Sequence, residues 1–288
     1  MDTAKLATRL EEILLKKLDD GKLVLPTMPK VALALRSRLD DESTADLRAL
    51  SALLEEDPLL ATRVLQLANS AMYRSRDEIK ALGHAVTRLG IRKLREVLYA
   101  ATAQQVYTSR QPQLSQVMNS LWDHSLVVAR LARDIHGISG ASDSEPAFLA
   151  GLLHDVGKAI AAVHLVEVER DLPTDKARSW IGREEFTDAL NRVNRPLGAA
   201  LAQKWDLPAI VTQAVKGSDD YDSSDRQSVV NAVRFANALA KKHGFAVGVV
   251  NEEEIGAQIM IGCSVLGIDQ TVVDELIKKL EAQHRTAR

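Results

Sequence analysis

Apolar residues recur at three- and four-residue spacing along nearly the whole chain, and runs that alternate apolar with polar residues are absent. A helix gathers positions i, i+3, i+4 and i+7 on one face, whereas a half-buried strand gathers every second residue. The pattern therefore commits the chain to helices packed on helices. The one strand-like run, VGVV at 247–250, is too short to organise a sheet. At 288 residues the chain can bury a sizeable core in one large domain or two intimate ones, and the fold class expected is all-α.

Breaks in the periodicity divide the chain. A first amphipathic helix is expected over 4–18, ended by Asp19-Asp20-Gly21. Leu25-Pro26-Thr27-Met28-Pro29 cannot be helical, because each proline pushes its predecessor toward extended geometry. Helices follow over 30–39 and after a cap at Ser43 or Thr44, with Leu47, Leu50, Leu53 and Leu54 as the second one's stripe. Asp57-Pro58 pairs an N-cap with a first-turn proline. Helices over 78–89 and 92–107 meet at Gly90. Ser109–Pro112 is the expected seam. Beyond it helices are expected at 114–136, 146–156, 158–170, 183–192, 196–204, 208–216, 226–243, 252–265 and 271–284. The loops Gly137–Ser144 and Ser218–Ser224 should be exposed. This divides the chain into an N-terminal helix (1–22), a helical subdomain (23–110), a helical core (111–245) and C-terminal helices completing that core (246–288).

Bulk properties exclude several classes of function. A formal net charge of −2 and a pI near 6.4 give no basic bias toward nucleic acid or anionic membrane. Arg88, Arg92, Lys93 and Arg95 around Gly90 could suggest a helix-turn-helix. Acidic Asp77, Glu78 and Glu96 lie close by, the net charge is negative, and a solvated face is the better reading, so DNA is not an expected partner. Cys263, the single cysteine, excludes an intrachain disulfide framework and fits a reducing cytosol. The N-terminus lacks a signal-peptide pattern, and no stretch is read as approaching the ~20 apolar residues of a membrane span. The expected location is cytoplasmic.

The chemistry lies further along. In the helix around 114–136 the apolar seam is Val117, Leu121, Val128, Leu131 and Ile135, and His124 falls in register between Leu121 and Val128, so it points inward. A buried imidazole needs partners for both nitrogens. Thirty residues on, LLHDVGK places His154 and Asp155 in a second apolar helix, with Gly157 expected to end that helix and Lys158 to open the next. A buried carboxylate is rare unless it is paired or on a metal, and two imidazoles with a carboxylate suit a transition metal. Without a metal, the expected arrangement is a cluster in which an imidazole donates to Asp155, completed by Asn237 or a water. His84 and His164 read as surface groups. His136, His243 and His284 sit at helix ends, where an imidazolium suits the dipole. Ser125 and Cys263 lack a base at a suggestive spacing.

At His124, His154 and Asp155 the chain resembles the HD-domain superfamily of metal-dependent phosphohydrolases, matching three of four ligand positions. The fourth, an aspartate in that superfamily, corresponds to Asn237 in VVNAVRFANALAKKHG. The strings LPTMP, EEDPLLATRVLQLANSAMY, IKALGHAVTRLGIRKLREVLYA, WDHSLVVARLARDI, AFLAGLLHDVGK and PLGAALAQKWDLPAIVTQAV, in this order, resemble the HDOD (HD-related output domain) family of bacterial signalling proteins over residues 23–243. The resemblance implies an N-terminal helical subdomain packed on a degenerate HD-type core. It also implies a signalling output or adaptor role without established catalysis. HDOD members often carry a histidine where this chain has Asn194, and a His pair near its Gly217-Ser218-Asp219. The Gly-Tyr-Pro signature of the related cyclic-di-GMP phosphodiesterases is missing.

The expectation is a non-catalytic regulatory module acting through signalling proteins, with no required cofactor. A nucleotide, or a single divalent metal on His124, His154 and Asp155, is left open, with Lys158 and Asn237 in the same vestigial cluster. Self-association as a homodimer is left open too. The alternative is a phosphohydrolase acting on a nucleotide or cyclic dinucleotide.

Overall fold

In a computed structural model, the structure describes residues 3–28, 33–34, 46–69, 78–109, 111–171, 184–217 and 220–287. Among the described residues the chain forms twelve α-helices with defined bounds, in chain order α1 Thr3–Asp19, α2 Leu47–Glu55, α3 Pro58–Ala68, α4 Leu82–Val106, α5 Pro112–Ile138, α6 Glu145–Leu153, α7 Val156–Asp171, α8 Glu184–Lys204, α9 Ala209–Lys216, α10 Val229–Ala240, α11 Glu252–Leu266 and α12 Gln270–Ala287. A π-helical turn, Lys241–Phe245, follows α10. No strand occurs among the described residues, and 247–250 is irregular, with Gly248 at φ 91°. The helix expected at 30–39 and the caps at Ser43 or Thr44 lie outside the described residues, apart from helical Leu33 and Ala34.

The chain divides into two compact units, Thr27–Gln105 with His284–Arg288, and Met1–Pro26 with Val106–Gln283. In the smaller unit Asp46 caps α2 by accepting from the Arg48 amide at 2.9 Å, and Leu50 and Leu54 form the buried stripe. Asp57 caps α3 by accepting from the Leu60 amide at 3.1 Å. Asn69 bonds both the amide and the carbonyl of Ile79 at 2.8 Å. Gly90, at φ 72°, breaks α4 where the sequence placed a stop.

The larger unit is built around α5, which packs on α6 and α10; α7 packs on α8, and α1 on α8. Lys204 and Trp205 donate to the Leu25 and Pro26 carbonyls at 2.7 and 3.1 Å, holding the segment after α1. Two glycines set the helix spacing. A Cβ at Gly151 would stand 2.8 Å from the Ala129 Cα, so α6 approaches α5 backbone to backbone one turn from His124. A Cβ at Gly157 would stand 2.0 Å from the Asn194 carbonyl oxygen, so α7 meets α8 in the same way.

Three readings differ from expectation. Helix α6 ends at Leu153, His154-Asp155 forms the turn, and Gly157 lies inside α7; the need for close contact with α8 outweighs the glycine's tendency to stop a helix. Helix α8 runs unbroken through Pro196, because buried Val193 and Asn194 hold its middle against the core. The third concerns hydropathy: Glu145–Glu167 is long and apolar enough to cross a membrane, contrary to the sequence reading. Its most apolar window is 83% buried within the fold, as in a core helix.

Candidate metal centre

Four elements of the larger unit converge on one buried cluster. His124 comes from the middle of α5, where Leu121 and Val128 on the same face are fully buried. His154 and Asp155 come from the tight turn between α6 and α7; they are 7% and 4% exposed, and His124 is 2% exposed. Lys158 follows in the first turn of α7. Asn194 reaches in from α8. The three predicted ligands stand together, with all their ligand atoms within 4.8 Å of one another.

The tautomers are set by the backbone. Nδ1 of His124 lies 2.8 Å from the Phe245 carbonyl and Nδ1 of His154 lies 2.7 Å from the Gly151 carbonyl. A carbonyl can only accept, so each Nδ1 carries the proton and donates. Both Nε2 atoms of the neutral rings are therefore acceptors. They stand 3.3 Å apart, and each is 3.5 Å from the Asp155 Oδ2. Burial holds both imidazoles below their ordinary range, against the opposing pull of Asp155; His124 is lowered to about 3. Burial would raise the Asp155 carboxyl, but the electrostatic pull of the groups around it, His154, Lys158 and His124, together with the Lys158 hydrogen bond, holds it well below the ordinary carboxylate range. The cluster thus presents two neutral nitrogens and one anionic oxygen to a common point.

Asp155 is satisfied by neighbours other than those expected. The Asn194 amide donates to Oδ1 at 2.9 Å and to the His154 carbonyl at 2.9 Å, while its own oxygen accepts from the Lys158 backbone amide at 3.2 Å. The Lys158 ammonium donates to Oδ2 at 2.8 Å. No imidazole donates to the carboxylate, because both Nδ1–H groups are spent on carbonyls, and Asn237 does not bond it. Asn237 instead carries a buried side-chain oxygen without a hydrogen-bond partner. Lys241, one turn beyond Asn237, sits within the field of Asp155 and Lys158, and burial lowers its pKa.

The donor set fits a metal ion. Separations of 3.3, 3.5 and 3.5 Å match the edges of about 3.4 Å expected between ligands of a tetrahedral ion with bonds near 2.1 Å. Carbonyl partners on the distal Nδ1 atoms are the usual means of aiming metal-binding histidines. His124, His154 and Asp155 would hold the ion, and their imidazole content suits a first-row transition metal.

Asn194 and Lys241 have roles that no motif announces. In the sequence Asn194 stands out only as a departure from the family's histidine. Its register is the available signal: it is a polar residue on the α8 face that carries buried Leu190 and Leu197. The other histidines separate clearly. His84 is exposed, and His164 pairs with Glu167 at 3.0 Å. His136, near the C-terminal end of α5, is buried at 6% exposed, and its Nε2 donates to the Gln227 carbonyl at 2.8 Å. Gly217 ends α9 at φ 70° over the Arg195 side chain, and residues 218 and 219 lie outside the described residues.

The model of one family, described as HDOD domain, matches residues 25–221. An uncharacterised protein of Treponema pallidum (strain Nichols) is 26% identical over 244 residues, which is 80% of this chain; the chain spans 44% of that relative's length. Among solved structures, a Shewanella amazonensis SB2B protein provisionally assigned as a metal-dependent phosphohydrolase superposes with a TM-score of 0.70 at 21% identity, covering 92% of this chain and 91% of its own. An HDOD domain protein of unknown function from Geobacter sulfurreducens gives 0.64 at 22% identity, covering 96% and 95%. A Marinobacter aquaeolei VT8 protein provisionally assigned to signal transduction gives 0.64 at 19% identity, covering 99% and 67%. At these identities the structures share the fold.

Proposed function

This chain belongs to the HDOD family, and from that premise we propose that it is a non-catalytic regulatory module, acting through protein partners, whose His124–His154–Asp155 cluster binds one divalent transition metal. One observation carries the metal: three acceptors face a common point, with both histidine tautomers set so that no proton lies between the Nε2 atoms. A bound cation turns that mutual repulsion into attraction. Asn237, with its unpartnered buried oxygen one turn before Lys241, is the proposed fourth donor.

The same residues argue against turnover. Hydrolysis of a phosphoester needs a metal to lower the pKa of a bound water and to clamp the phosphoryl oxygens, and two-metal sites need further His and Asp ligands to bridge the ions. Asp155 is the only carboxylate in the cluster among the described residues, and its two oxygens already accept from Asn194 and Lys158. A loaded centre flanked by Lys158 and Lys241 would carry excess positive charge, which suits retention of an anionic ligand such as a nucleotide phosphate. The second reading, a phosphohydrolase of a nucleotide or cyclic dinucleotide, draws support from a three-ligand set that leaves coordination positions open.

A phosphatase and phosphodiesterase assay with Mn, Mg or Fe supplied separates the two. The expected result is no turnover above background. Turnover abolished by His154→Ala or Asp155→Ala, with the fold intact, would establish the enzyme instead.

A further inference from the structure

Helix α11 buries Ile255, Gly262 and Leu266 and leaves its opposite side bare. Ala257, Met260, Ile261 and Ser264 are exposed, at the i, i+3, i+4, i+7 spacing that makes one continuous face. Met260 is 72% and Ile261 51% exposed. Scattered exposed apolar residues are ordinary on a protein surface. Two large ones side by side on a single helix face are less so, and such patches mark contacts. Among the described residues, no other two large exposed apolar side chains are sequence neighbours.

Charges of opposite sign bound this face at its two ends. Glu253, one turn before Ala257, is exposed and has no ion pair among the described residues, whereas its neighbour Glu252 has Lys242 at 3.9 Å. At the C-terminal end the Arg226 guanidinium lies across Gly267, donating to its carbonyl at 3.4 Å. The point midway between Glu253 and Gly267 falls at Met260. At 1.5 Å per residue each charged end is about 10 Å from it. An order of anion, apolar centre and cation, symmetric in spacing about the centre, is self-complementary under a two-fold axis. It brings Met260 and Ile261 onto their own counterparts, sets Glu253 against Arg226 of the second copy, and opposes the two helix dipoles.

We propose that this face of α11 is a self-association surface on which a second copy of the chain packs antiparallel. One helix pair lies at the small end of specific interfaces, so the dimer is concentration-dependent.

Sedimentation of the full chain from about 1 to 300 µM tests this, spanning the range of a weak specific contact. Wild type should show a reversible monomer–dimer equilibrium. Ile261→Glu and Met260→Glu, both at exposed positions, should stay monomeric with unchanged melting temperatures. Glu253→Arg and Arg226→Glu should each weaken dimerisation at least about fivefold, because each removes two symmetric ion pairs. The double reversal in one chain should restore it to within about threefold of wild type. A wild type that stays monomeric throughout, a dimer indifferent to Ile261→Glu, or a double reversal that restores nothing would overturn the proposal.

Discussion

His124 and His154 face each other through their Nε2 atoms at 3.3 Å, while their Nδ1 atoms are bonded to the Phe245 and Gly151 carbonyls. Two backbone acceptors from distant parts of the chain thus dictate which nitrogen of each ring is free. The free nitrogens then share one point with the Asp155 Oδ2. Rings arranged only to satisfy themselves in a core would turn a donor toward that carboxylate.

Stability without metal should depend on Asp155 more than on either histidine. Removing the carboxylate strands the Lys158 ammonium, whose side chain is 11% exposed, and leaves the Asn194 amide without one partner. In chelator-treated protein, Asp155→Ala should cost about 3–5 kcal/mol by urea unfolding. His154→Ala, which leaves the Gly151 carbonyl unpaired, should lower the melting temperature by a smaller but clear amount.

The pH dependence has a definite sign. Both imidazoles titrate below their ordinary value in the folded state, His124 near 3. From about pH 6.5 downward the unfolded chain takes up protons that the folded chain refuses, so stability falls with falling pH toward 3. Each such histidine contributes a slope of up to about 1.4 kcal/mol per pH unit. Asp155, whose folded pKa is depressed, adds a further loss only below about pH 4. Denaturant midpoints of chelator-treated protein between pH 8 and 5 will check this: a flat profile would mean that the rings are not buried and neutral.

Much of this was legible in the sequence. The 3.6-residue periodicity excluded sheets, Gly90 and Asp57-Pro58 mark element ends where expected, and His124 lies buried because Leu121 and Val128 share its face. What periodicity could not supply is contact between helices distant in sequence. Gly157 looks locally like a helix stop, but it lies within a helix because the Asn194 backbone passes where its side chain would be. Asn194 itself, 39 residues from Asp155, can be paired with it only once α7 and α8 are packed. The Phe245 carbonyl is 121 residues from His124 and belongs to a π-helical turn with no motif of its own.

Gly157→Ala should therefore be far more damaging than its size suggests. Its Cβ would sit 2.0 Å from a backbone oxygen, which cannot move away without shifting α8. A loss of at least about 3 kcal/mol is expected in thermal or urea unfolding, at the upper end for overpacking.

Asn194→Ala should separate metal affinity from folding. It leaves the His154 carbonyl and the Asp155 Oδ1 each without that partner, at about 1–3 kcal/mol. Loss of such a supporting group should also weaken metal binding by about 10–100-fold, read by competition with a chromophoric chelator.

Metal content is decisive. Chelator-stripped protein, dialysed against micromolar Zn or Mn and measured by elemental analysis, should retain one ion per chain. His124→Ala and Asp155→Ala, confirmed folded by circular dichroism, should retain none. Wild-type protein that keeps no ion above the variants would contradict the single-metal centre, and so would two ions per chain.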